Sequence, residues 1–164
     1  MKKVLTVMVG NIGSGKSTII KKLRLLPPGY VVICRDSLRY MIGGGDYVFN
    51  PKLEPTIFRS EKSILENFME QCENVIVDEV GISKSMRRPY IDLAIDYGYQ
   101  AVAIVMPKLT MEESVNRRMN KPHGTPRKTW YEVWKKFDEL YEEPTKREGF
   151  RDIIKIGREE VGLK

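Results

Sequence analysis

The sequence predicts an α/β domain in which a parallel five-stranded sheet carries helices on both faces. Two observations predict it. Short apolar runs alternate with longer amphipathic segments along the chain, the pattern of strand–helix–strand units. The first apolar run also passes straight into a glycine-rich turn that opens a helical pattern. At 164 residues the chain is long enough for one domain with a substantial core. No internal repeat, low-complexity stretch or linker divides it, so residues 1–164 read as a single domain.

In chain order, Val4-Leu5-Thr6-Val7-Met8-Val9 suits a buried strand, and the helical pattern Thr18–Leu26 is stopped by Pro27-Pro28-Gly29. Tyr30–Cys34 is a second strand, Asn74–Asp78 a third, Gln100–Met106 a fourth and Asp152–Ile156 a fifth. Helices are expected near Leu53–Gln71, Lys84–Tyr97, Thr110–Met119 and Arg127–Tyr141, with Gly43-Gly44-Gly45 as a loop inside the domain. Crossovers in such a sheet are right-handed, and ligands bind at the carboxyl ends of its strands.

Composition narrows the class. The chain is 41% hydrophobic and 30% charged, as in soluble globular proteins, and no apolar run approaches the roughly 18 residues of a membrane span. Met1-Lys2-Lys3 leads into the first strand rather than into a signal peptide, so a cytoplasmic location is expected. Cys34 and Cys72 lack metal-ligand spacing and read as small reduced core residues. The net charge of +6 suits a polyanionic partner.

The turn Gly10-Asn11-Ile12-Gly13-Ser14-Gly15-Lys16-Ser17 fits G-x-x-x-x-G-K-[ST] at every position. Glycines let such a loop take backbone angles that a Cβ forbids. Its N–H groups and the following helix N-terminus then face a polyphosphate. Lys16 can reach the β- and γ-phosphates, and the Ser17 hydroxyl can ligate Mg²⁺. This makes the domain a P-loop nucleotide-binding fold.

Strand ends supply the remaining chemistry. After the second strand comes Arg35-Asp36-Ser37-Leu38-Arg39. Asp36 is placed to orient an acceptor hydroxyl and take its proton, or else to cap a helix starting near Ser37. Asp78, ending the third strand, is placed to hold Mg²⁺, while Glu79 either activates water or, like Asp78, caps a helix. Asp78-Glu79-Val80-Gly81 also reads as D-x-x-G, but Asn120-Lys121-Pro122-His123 lacks the carboxylate that guanine recognition uses, which excludes a GTPase. Arg117, Arg118, Lys121 and Arg127, interrupted by Pro122, Gly124 and Pro126, suit a lid over residues 117–127 or a solvated basic face. Lys84, Arg87 and Arg88 form a second basic patch that either meets an acceptor phosphate or is an exposed helix start. Trp130, Tyr131 and Trp134 suggest a helix packed on the body. Tyr40, Tyr47 and Phe49 are candidates for stacking on an acceptor base.

Together these pieces resemble the kinase domain of the end-healing polynucleotide 5′-hydroxyl kinases. Gly10–Thr18 resembles that family's phosphate loop, and Arg35-Asp36 its Asn-Arg-Asp segment, with Cys34 in place of Asn. Asp78 followed by Arg87-Arg88 resembles its Asp-Thr-Asn…Arg-Arg stretch, from which Glu79-Val80 departs. Asn116-Arg117-Arg118 is similar to the start of its lid, and Tyr141–Phe150 to its Glu-x-Pro-Thr-x-x-Glu-Gly-Phe segment. The resemblance implies ATP and Mg²⁺ held by Gly10, Asn11, Ile12, Gly13, Ser14, Gly15, Lys16, Ser17 and Thr18, with Asp78 beside the metal. It implies Asp36 as base toward a 5′-hydroxyl, Arg39 on an acceptor phosphate, and Arg35, Arg87 and Arg88 on the acceptor side. It implies Arg117, with Arg118 and Lys121, clamping the donor phosphates. No Asp-x-Asp-Gly-Thr is present, so no phosphatase domain is expected on this chain.

The expected function is therefore transfer of the ATP γ-phosphate to 5′-OH ends of DNA or RNA. Two rivals share the skeleton. One is a zeta-toxin-like or small-molecule phosphotransferase. The other is a regulatory ATP-binding module that hydrolyses ATP slowly through Glu79.

Overall fold

The computed structural model describes residues 3–24, 29–120 and 124–163. Five parallel strands form one sheet in the order β2-β3-β1-β4-β5. They are β1 (Val4–Val9), β2 (Val31–Ile33), β3 (Val75–Val77), β4 (Gln100–Val105) and β5 (Asp152–Lys155). The helices are α1 (Lys16–Arg24), α2 (Arg35–Ile42), α3 (Glu54–Glu70), α4 (Lys84–Asp96), α5 (Met111–Met119) and α6 (Arg127–Glu139). The expected stop of the first helix at Pro27-Pro28 lies outside the described residues; the helix is described as far as Arg24.

β1 is central, with Leu5 in register with Val75 of β3 and with Ala101 of β4. Its side chains alternate between two cores, as a strand's two-residue period requires. Leu5, Val7 and Val9 join Leu65 and Met69 of α3 and Tyr90, Ile91, Leu93 and Ala94 of α4 on one face. Met8 joins Ile19 and Ile20 of α1 and Val161 on the other. Both faces are thus covered, which is why β1 and β3 are almost wholly apolar.

The parallel arrangement puts every strand's carboxyl end on one edge, and hydrogen bonds continue past the strands there. Gly10 N–H donates to Val80 O at 2.9 Å, Asp78 N–H to Ile33 O at 2.8 Å and Met106 N–H to Val9 O at 2.8 Å. Gly10, Cys34–Asp36, Asp78 and Met106 therefore share an edge. α2 begins at Arg35, two residues before the expected start near Ser37. Cys72 is exposed in the turn after α3, with φ +60°, and is not the core residue expected from its chemistry. Among the described residues no helix is long and apolar enough to cross a membrane.

Candidate functional site

The phosphate loop is built by glycine and by its walls. Gly13 and Gly15 take φ of +65° and +99°, where L-residues are strained. A methyl at Gly13 would overlap the Ser114 carbonyl oxygen of α5, and one at Gly15 would meet the Val161 side chain at 2.8 Å. Asn11 Oδ1 accepts from the Ile12 N–H at 2.7 Å, and Asn11 Nδ2 donates to Trp134 O at 3.1 Å, tying the loop to α6. Lys16 Nζ donates to the carbonyls of Gly10 (2.9 Å) and Asn11 (3.1 Å), so the amine lies over its own loop. Ser14 is 3% exposed, and its Oγ has no hydrogen-bond partner among the described residues. Ser17 is half-buried and Thr18 exposed in the first turn of α1.

Across the edge stands Asp36. Its carboxylate accepts from Arg39 Nη1 at 2.6 Å and from the Tyr47 hydroxyl at 3.2 Å, and its side chain is 40% exposed. Asp36 is not a helix cap; Cys34 holds that position and makes no side-chain bond there. Arg39 also donates to both oxygens of Glu54, at 3.0 and 2.5 Å, and lies 5.7 Å from the Phe49 ring centre. Its guanidinium is thus shared between two carboxylates. Tyr40 meets Tyr47 edge to face at 5.4 Å, and Phe49 is 60% exposed.

Arg35 is held below this cluster. Its N–H donates to Glu79 Oε1 at 2.9 Å and its Nη2 to Glu79 Oε2 at 2.7 Å. Its Nε lies 3.4 Å from Glu61, a wholly buried acid of α3 that also accepts from the Tyr90 hydroxyl at 3.0 Å. Burial pushes the Glu61 carboxyl up to about 7, Glu79 adding to the rise and Arg35 opposing it. Burial, then the charges of Asp78, Glu79 and Asp36, push the Cys34 thiol up to about 12.

The candidate lid arginines divide. Arg117 Nη2 donates to Val161 O at 3.2 Å and is the side-chain group nearest Gly15 from α5. Arg118 lies 4.4 Å over the Trp130 ring. Arg127 is held by Tyr131, Glu112 and Asn116. Lys121 and His123 lie outside the described residues. The aromatic residues of α6, expected to seat it on the body, are half-buried, and Asn11 ties the helix to the phosphate loop at Trp134. Trp130 and Tyr131 also engage arginines at either end of the candidate lid segment.

The structure does not bring Arg87 and Arg88 to this cluster. Arg87 is 0% exposed; it donates to both oxygens of Glu148 and to the carbonyls of Gly81 and Glu142. It links α4 to the tail segment and presents nothing to a ligand. Arg88 is exposed and pairs with Asp92 one turn along α4. Glu54 and Glu61, which hold Arg39 and Arg35, were missed in the sequence because acids on an amphipathic helix look like solvated charges. Glu61 at the position of α3 that packs with Ile57 and Leu65 was the available signal.

The residues fit a nucleotide with a hard divalent cation. The cradle is shaped so that added methyl groups would fill it. Ser17 and Asp78 offer only oxygen donors, which suits Mg²⁺. Among the described residues no cluster of three His, Cys, Asp or Glu could hold a metal.

Residues 5–144 match the model of the AAA_33 family, described as an AAA domain. The chain belongs to this AAA domain family. It is a P-loop kinase-like domain. The AAA domain is similar to a chain of the Pnkp1/Rnl/Hen1 complex, at 25% identity and a TM-score of 0.62, over 71% of this chain and 39% of that one. A chain of the Pnkp1/Rnl/Hen1 RNA repair complex gives 21% identity and a TM-score of 0.68, over 85% and 45%. The AAA domain thus spans less than half the length of these two chains. The Mycobacterium tuberculosis APS kinase CysC, in complex with AMPPNP and APS, gives 16% identity and a TM-score of 0.60, over 94% and 88%. Comparison with curated protein sequences gives no match.

Proposed function

We propose that this AAA domain is an ATP- and Mg²⁺-dependent kinase that phosphorylates the 5′-hydroxyl end of a nucleic acid. The observation that carries the reading is the group around Asp36. A partly exposed carboxylate, oriented by Arg39 and Tyr47, shares a sheet edge with the phosphate loop, and the exposed ring of Phe49 lies against Arg39. A base, a cation and an aromatic face together suit a terminal nucleotide. The likeness to a chain of the Pnkp1/Rnl/Hen1 complex adds support.

In this reading, Lys16 leaves the Gly10 and Asn11 carbonyls for the donor phosphates, which the loop amides cradle. Ser17 and Asp78 hold Mg²⁺, whose charge offsets that of the phosphates. Asp36 orients the 5′-hydroxyl and takes its proton as the γ-phosphoryl moves across in line. Arg39 meets an acceptor phosphate in competition with Glu54, with Arg35 behind it. Arg117 and Arg118 close from a lid over residues 117–127, with Lys121 in the same segment, and stabilise the transferring group. Residues 1–164 act as one domain.

Transfer of labelled γ-phosphate from ATP to 5′-OH oligonucleotides, DNA and RNA side by side, tests this. Wild type transfers label; Asp36→Asn is at least roughly a hundredfold slower, the scale of a lost general base. Lys16→Ala loses ATP binding. Tight ATP binding without transfer to any end overturns the reading.

One observation favours a small-molecule acceptor: the Arg39 charge is already balanced by Asp36 and Glu54. In that case phosphorylation of nucleosides, nucleotides or sugars replaces transfer to ends, and the acceptor KM ignores salt.

A further inference from the structure

The helix that carries Asp36 is not capped by its own sequence. Cys34 stands at the N-cap of α2, and its side chain makes no capping hydrogen bond among the described residues. The N–H of Arg35, the first helical residue, is one of those that a helix start leaves without an intrahelical partner. It is taken by Glu79, from the loop after β3, 44 residues away in sequence. The second oxygen of the same carboxylate takes the Arg35 guanidinium at 2.7 Å. Glu79 therefore grips main chain and side chain of one residue, and the next residue is Asp36.

The grip is backed from behind. Glu61 and the Phe58 ring, both on α3, meet the far side of the Arg35 guanidinium, at 3.4 Å to Nε and 5.8 Å to the ring centre. The Tyr90 hydroxyl of α4 holds Glu61 in turn. Arg35 cannot turn toward an acceptor without leaving the largely buried Glu79 carboxylate without its cation, which is costly. Both Glu79 oxygens are engaged by Arg35, so Glu79 is not poised as a base for water.

We infer that Glu79 is a positioning residue: its two-point clasp on Arg35 locks the start of α2 to the end of β3 and so fixes Asp36 against the phosphate loop. This rests on the reading of Asp36 as the base. It goes beyond that reading in assigning the acid after the metal-side Asp78 to the acceptor side of the reaction.

The test compares wild type, Glu79→Gln, Glu79→Asp and Glu79→Ala by three measurements: amide exchange at Arg35, transfer kinetics to a 5′-OH oligonucleotide, and ATP hydrolysis without acceptor. The Arg35 amide is expected to be protected in wild type and freed in Glu79→Ala. In Glu79→Gln the transfer kcat falls roughly ten- to a hundredfold, the cost of a misplaced reacting group. The acceptor KM and ATP affinity stay within about twofold. Glu79→Asp keeps the charge on a shorter arm and falls between, which also carries the test if Glu79→Gln does not fold.

Unchanged transfer in Glu79→Gln, or an equally unprotected Arg35 amide in wild type, overturns the clasp. Acceptor-free hydrolysis that collapses in step with transfer overturns it in favour of water activation by Glu79. Wild-type failure to phosphorylate any 5′-OH end, with the amide still protected by Glu79, overturns the acceptor assignment alone.

Discussion

At Gly13 two constraints meet: a left-handed backbone and a carbonyl oxygen of α5 where a methyl would go. Gly13→Ala is therefore expected to abolish the rise in melting temperature that ATP gives the wild type, as differential scanning fluorimetry would read. Glu61 makes a different prediction. Its ordinary value is 4.5 and its folded value about 7. Between these the folded chain keeps a proton that the unfolded chain has released. Stability therefore falls as pH rises from about 4.5 through about 7, then levels. The groups facing it are Arg35, Glu79, Tyr90 and Arg39. Subtracting the Glu61→Gln melting curve from that of wild type across this window isolates the slope; parallel curves refute it. The motif residues Gly10–Ser17 could be read from sequence because their spacing is local. Glu61 could not, since its partners Arg35 and Tyr90 lie 26 and 29 residues away and meet it only in the folded core.

Among the elements, α6 is seated on the body by half-buried aromatic residues, and Trp130 also lays its ring against Arg118. Such contacts are worth about 0.5–2 kcal/mol. Trp130→Ala should slow transfer by roughly two- to thirtyfold on that basis, with Trp130→Phe retaining most of the rate. Equal kcat in all three proteins would refute it. α4 carries the opposite lesson. Arg87 looks in sequence like a second basic patch with Arg88, but one turns inward and the other outward. Breaking a buried, hydrogen-bonded ion pair costs about 3–5 kcal/mol. Arg87→Met should therefore lower the melting temperature by on the order of 10 °C. Its acceptor KM, measured well below that temperature, should stay unchanged. Strand and helix positions were legible because period-2 and period-3.6 patterns are local; which face of α4 a given arginine occupies depends on Glu148, far along the chain.

For the molecule as a whole, the +6 charge matters through its distribution. The buried and paired arginines, Arg35, Arg39 and Arg87, contribute to the sum but offer little to a partner. If the acceptor is a nucleic acid strand held by about three phosphate contacts, log affinity should fall against log salt with a slope near about −2. A flat response would return the acceptor to the small-molecule class. The order β2-β3-β1-β4-β5 has a separate consequence for how the chain comes to be folded. β1 precedes the other four strands in sequence yet is the innermost, and Val4 pairs with Gln100 while its N–H waits for the Asn74 side chain. Closing such distant pairs is slow and leaves early segments unpartnered. The glycine loop would stay a bare, unshaped ribbon until β4, the later of the two strands that flank β1, is synthesised. A fragment ending at Tyr99 should show no cooperative unfolding transition, and nucleotide binding should be among the last properties the nascent chain acquires.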